Sequence, residues 1–73
     1  MKRTFILEDL DCAHCAAKIQ EEVGKLDGVS NCVVTFLTTK MVYDVEDDKD
    51  KEVEKKMRAI VKQMEPDVEV ISK

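Results

Sequence analysis

At 73 residues the chain is about half as long as a usual domain, enough for one small core that buries roughly 60% of the unfolded surface, so residues 1–73 read as a single domain. A net charge of −4 and an aromatic content of 4% leave neither a basic stripe for phosphates nor platforms for stacking bases, which excludes nucleic acid as a partner. Hydrophobic residues at 44%, with only two glycines and one proline, outweigh the 38% of charged residues and argue for a folded chain.

The opening MKRTFILEDL has the basic start of a signal peptide, but its apolar run stops at Glu8. With no stretch of spanning length, the chain as given is expected not to insert in a membrane. Three cysteines, an odd count, fit a reducing compartment and speak against a disulfide framework, so a cytoplasmic location is expected.

Phe5 and Leu7 mark one face of a first strand. Ala16, Ile19, Val23 and Leu26 then recur at three- and four-residue intervals, which predicts an amphipathic helix, with Gly28 in LDGV as its C-terminal cap. Cys32, Val34 and Phe36 alternate along a second strand, and Met41, Tyr43 and Val45 along a third. The run EDDKDKEVEKK resembles a charged tail, yet Val53, Met57, Ile60 and Met64 carry the helical period through it. It therefore predicts a second helix with a solvated face, to which Asp47, Asp48 and Asp50 supply a cap and dipole-favourable charge. Val68 and Val70 offer a short fourth strand.

The order is βαββαβ. Each helix has one apolar stripe and each strand one mainly apolar face, so the expected fold is α+β and ferredoxin-like: an antiparallel four-stranded sheet with both helices on one face. Cys32, Met41, Met57 and Met64 read as packing residues of that core rather than as metal donors. The same alternation turns Ile6, Val33 and Val42 to the uncovered face, where they form either a solvated surface or a modest docking patch, and a monomer is expected. The acidic balance suggests a basic docking surface on any transfer partner.

Chemistry concentrates in DLDCAHC, residues 9–15, where the first strand gives way to the first helix. A thiol at a helix N-terminus has its thiolate stabilised by unpaired amides, and a two-residue spacer brings both sulfurs of Cys12 and Cys15 to one ion. A structural zinc knuckle would need a second ligand pair, which this chain lacks. A thiol-disulfide oxidoreductase is a further reading, with His14 between the thiols, but the aspartates ahead of Cys12 oppose thiolate formation and the chain is short for that fold.

Strand, DLDCAHC, AAKIQEEVGKLDGV, VVTF and MVYDVE together resemble the heavy-metal-associated (HMA) domain, a family of soft-metal chaperones and of cytosolic N-terminal domains of metal-exporting P-type ATPases. The resemblance implies that Cys12 and Cys15 are the metal-binding thiols, that Leu10 replaces the usual loop-anchoring Met, and that Asp9 replaces the usual Gly. It also gives Asp11 the place that Thr or Ser holds in copper-binding members and that Asp holds in domains of zinc- and cadmium-exporting ATPases. Two thiolates suffice for linear Cu(I), whereas Zn(II) and Cd(II) want three or four ligands and accept a carboxylate. Two thiolates and one carboxylate carry three negative charges, so a dication leaves −1 and a monocation −2, which favours the dication.

The expected site is therefore Cys12, Cys15 and Asp11, with Glu65 and His14 as further donors. The expected cargo is Zn(II) or Cd(II), with Pb(II) and Cu(I) as alternatives, passed on by ligand exchange to the transmembrane core of a metal-transporting ATPase or its other cytosolic domains. The chain is expected to be no enzyme by itself. A free-standing Cu(I) metallochaperone is the alternative function.

Overall fold

The computed structural model describes residues 1–73. Strand β1 (Lys2–Glu8) buries Phe5 and Leu7 completely, and the chain then loops into helix α1 (Ala13–Gly24), whose buried stripe is Ala16, Ile19 and Val23. Strands β2 (Val29–Thr35) and β3 (Lys40–Val45) form a hairpin, and after a single 3₁₀ turn at Asp47–Lys49 helix α2 runs over Asp50–Met64. The short strand β4 (Glu69–Ser72) closes the sheet in the order β2-β3-β1-β4, antiparallel throughout. This is the ferredoxin-like arrangement that the apolar periodicities predict.

Twelve side chains form the core, including Met41, Tyr43 and Val45 from β3 and Val53, Met57 and Val61 from α2. Each such side chain removed from water contributes roughly 1.5–3 kcal/mol, which is how a chain this short remains folded. Phe5 and Tyr43 stack with centroids 5.7 Å apart, and the Tyr43 hydroxyl is buried without a hydrogen-bond partner. On α2 Val61 joins Val53 and Met57 in the buried stripe, with Ile60 and Met64 half-buried at its edge.

Two expected caps are replaced by other devices. Helix α1 stops at Gly24, and the amides of Lys25 and Leu26 donate back to the Glu22 and Val23 carbonyls, so Gly28 is not its cap. Gly28 instead turns the chain into β2 with φ +93, where an added Cβ would come within 2.8 Å of Lys49 Cδ. No carboxylate caps α2 through a side-chain hydrogen bond: its N-cap is Lys49, and Asp50 is taken by Arg3 at 2.6 Å. Asp50 and Glu52 still sit in the first turn, where their charge suits the helix dipole.

Parity along β2 changes at a bulge. Val29 lies opposite Val45 and Val34 opposite Met41, but between Ser30 and Val33 two residues of β2, Asn31 and Cys32, stand opposite the single Tyr43 of β3. Asn31 absorbs the extra step at φ +53 and donates to Asp44 at 3.1 Å. That step lets Val29 and Cys32 both pack on the core while Val33 remains 51% exposed on the open face of the sheet. Cys32 is half-buried, and burial pushes its thiol up to about 11.

Both outer strands have backbone groups engaged by side chains. Gln20 Oε1 accepts from the Val34 amide at 2.9 Å, and Arg58 Nη1 donates to the Val70 carbonyl at 2.9 Å. No helix is long and apolar enough to cross a membrane.

Candidate metal centre

The loop between β1 and α1 is fixed from both sides. Asp9 adopts φ +69, a left-handed conformation that Asp tolerates better than most residues, and the turn lets Leu10 insert into the core at 5% exposure. The Leu10 amide donates to the Leu7 carbonyl at 3.3 Å, tying the loop to the end of β1. Cys12 then occupies the N-cap of α1, with extended φ −129 and ψ 115, and its Sγ accepts from the Cys15 amide at 3.4 Å. A sulfur thus does what Ser, Asp or Asn does at other helix starts, and it lies where unpaired amides favour negative charge.

The third side chain comes from the far end of the sequence. Glu65 caps the C-terminus of α2, its amide donating to the Val61 carbonyl at 2.7 Å and its carbonyl accepting from Val68 at 3.0 Å. Both bonds fix the backbone that carries its carboxylate. Cys12 Sγ, Cys15 Sγ and a Glu65 carboxylate oxygen lie within 4.8 Å of one another, and all three residues are half-buried. One ion can contact all three after small side-chain movements, since Zn–S and Zn–O bonds run about 2.0–2.3 Å.

The thiols are free and electrostatically unequal. The Cys15 thiol, beside the Glu65 carboxylate and Cys12, is pushed up to about 12. Cys12 is pulled below its ordinary value by the Cys15 side chain, then by the Cys15 amide. The metal-free pair thus holds its proton on Cys15 and develops thiolate character at Cys12 first. Proton release must accompany metal uptake.

Of the five residues singled out as donors, the structure brings Cys12, Cys15 and Glu65 together. Asp11 and His14 are exposed and lie outside that cluster. Lys18 and Met64, which border Cys15, escaped sequence reasoning as neighbours of the site. Lys18 stands three residues after Cys15 on one helix face, which was the available signal, whereas Met64 comes near through the packing of α2.

The heavy-metal-associated domain family matches residues 4–66. The chain belongs to that family. It is 30% identical over 73 residues to a cadmium, zinc and cobalt-transporting ATPase of Bacillus subtilis, covering all of this chain and 10% of that protein. It is 38% identical over 42 residues to the copper chaperone CopZ of Enterococcus hirae, covering 58% of this chain and 61% of the chaperone. Its fold is similar to the N-terminal domain of ZntA in the apo form, with a TM-score of 0.70 at 26% identity over 99% of this chain and 90% of that one. The chain thus spans about a tenth of the length of the ATPase it resembles. As an HMA domain it is a metal-binding module whose cysteine pair can hold a metal.

Proposed function

We propose that this HMA domain binds a divalent soft metal, Zn(II) or Cd(II) with Pb(II) as a further cargo, and passes it on by ligand exchange. Its acceptor is the transmembrane core, or another cytosolic domain, of a metal-exporting P-type ATPase, of which this chain is the N-terminal cytosolic domain. It is not an enzyme by itself. The observation that carries this reading is the carboxylate of Glu65 beside both thiols. A bis-thiolate Cu(I) site needs no third anion, whereas a dication gains an oxygen donor and retains only one net negative charge. Likeness to the Bacillus cadmium, zinc and cobalt-transporting ATPase supports the same direction.

In this mechanism Cys12 and Cys15 hold the ion, Glu65 completes three-coordination, and Asp11, exposed one residue before Cys12, supplies a further carboxylate as the fourth position fills or empties. His14 remains a transient donor during transfer. An incomplete shell leaves a position at which an incoming ligand binds before an outgoing one departs.

Competition against a strong Cu(I) chelator, paired with Cd(II) titration followed by sulfur-to-metal absorbance, tests the reading. Zn(II) and Cd(II) are expected to bind at about one ion per chain. Glu65→Gln and Asp11→Asn are each expected to weaken Zn(II) by roughly tenfold while changing Cu(I) little. Tight copper with zinc left in solution would make the chain a Cu(I) chaperone, the reading that the likeness to CopZ favours.

A further inference from the structure

Three concave regions open on the surface, and one of them, about 310 Å³, reaches a cysteine. It lies between α1 and α2 and is lined by Cys15, Lys18, Glu22 and Met64. The first three, spaced three and four apart, share one face of α1, while Met64 ends α2 immediately before Glu65. Cys15 therefore belongs both to the donor cluster and to the wall of the cleft.

The two charges inside the cleft differ in availability. Glu22 lies 3.7 Å from Lys25, whereas the exposed Lys18 makes no ion pair. Near the donors in sequence, Asp9 and Asp11 on the Cys12 loop and Asp67 two residues after Glu65 are exposed carboxylates without a cationic partner. An approaching anion is repelled there and attracted at Lys18.

We infer that this cleft is the port through which an incoming anionic thiolate reaches the ion held at Cys12 and Cys15, with Lys18 steering it. This rests on the metal-carrier reading above. Met64 gives the port a polarisable, apolar wall suited to sulfur. During exchange the incoming sulfur donates a lone pair to the ion and the bond from the ion to Cys15 breaks. The incoming thiol loses one proton and the freed Cys15 thiolate gains one, so protons and charge balance and nothing is oxidised. Although the net acidic balance suggests a basic docking surface on a transfer partner as a whole, the ligand class at this local cation is a thiol that carries carboxylates, either a free small molecule or an acidic Cys-x-x-Cys segment.

The test loads the full chain and its Lys18→Gln and Lys18→Glu variants with Cd(II) and follows loss of sulfur-to-cadmium absorbance by stopped flow. Mercaptosuccinate, neutral 2-mercaptoethanol and a peptide of residues 9–15 serve as acceptors. Lys18→Gln is expected to slow mercaptosuccinate or the peptide about threefold to tenfold, and Lys18→Glu more, with 2-mercaptoethanol unchanged. Salt at about 0.5 M erases the difference. An effect confined to one anionic acceptor supports the port and identifies its source. Unchanged rates with both overturn it.

A metal-free arm separates the port from the metal reading: alkylation of Cys15 by iodoacetate relative to iodoacetamide. Lys18→Gln is expected to lower that ratio about threefold, because any change in thiol acidity affects both reagents alike. If the ratio falls while the wild-type chain takes up no Cd(II), the metal reading fails and the anion port stands. An unchanged ratio overturns the port whether or not metal binds.

Discussion

At the end of the molecule where α1 stops and α2 starts, Asp27 and Glu46 lie against Lys49, and Asp50 and Glu54 against Arg3. At the opposite end, Glu8, Asp9, Asp11, Glu65, Asp67 and Glu69 have no cationic partner, and Glu8 and Glu69 even stand directly opposite each other on paired strands. One sequence thus uses carboxylates in two ways. In the first region they bind the chain to itself: the Arg3 side chain, 18% exposed, joins β1 to α2 with bonds of 2.6 and 2.8 Å and lies over the Phe5 ring. In the second they repel one another, a cost that a bound cation relieves. The ion pairs that hold the chain together are therefore separated in space from the cysteine cluster, which predicts that each can be altered without the other.

The largest expected effect falls on the metal end alone. Cys12→Ser or Cys15→Ser is expected to weaken Cd(II) by roughly a hundredfold or more, because each removes a thiolate from a site with few donors. The far-ultraviolet circular dichroism of either variant, and of the wild-type chain stripped by chelator, is expected to remain that of the folded protein. Unfolding on chelation would show that cohesion also depends on the metal.

The reverse experiment is Arg3→Met, which leaves Asp50 and Glu54 without their shared partner. A loss of about 2 kcal/mol in urea unfolding is expected, with Cd(II) affinity unchanged. A matching fall in metal affinity would dissolve the separation between the two ends.

Alkaline titration sharpens the comparison by probing the core between them. Burial raises Tyr43 to about 12 from 10.0 and Cys32 to about 11 from 9.0. Both groups stay neutral in the folded chain after they would ionise in the unfolded one. Their contribution to stability is thus intact below pH 9, and declines as pH rises through about 9 to 12. Tyr43→Phe is expected to flatten the upper part of that decline and to be neutral or slightly stabilising at pH 7, since the hydroxyl has no partner to lose.

The smallest effect is expected from Glu69→Gln. Removing one half of the like-charged pair with Glu8 should raise the apo chain's stability by a few tenths of a kcal/mol, and less in high salt. No gain at low salt would mean that solvent already screens the metal end.

The elements were legible because each carries a clean period: Phe5 and Leu7 along β1, Val53 and Met57 through a charged run along α2. Termini were less legible. The carboxylates before α2 satisfy the usual signature of a cap, but Arg3, 47 residues away from Asp50 in sequence, competes for one of them. The bulge at Asn31 was hidden because a strand pattern carries no mark of one extra residue. At the site, Cys12 and Cys15 are local to one loop and could be read from their spacing. Which carboxylate stands beside them depends on where α2 ends relative to α1, a packing outcome that no local window of sequence contains.

The protection of the outer strands by Gln20 and Arg58 has a consequence for crowding. A sheet edge with open amides and carbonyls invites a neighbour to extend it, and identical or related modules linked in one polypeptide are held at high effective concentration. With one amide of β2 and one carbonyl of β4 already engaged by its own side chains, and with Asn31 bending β2 out of a straight line, this domain gives neighbouring copies poorer templates for strand exchange. It can be strung beside others of its kind and remain a separate bead.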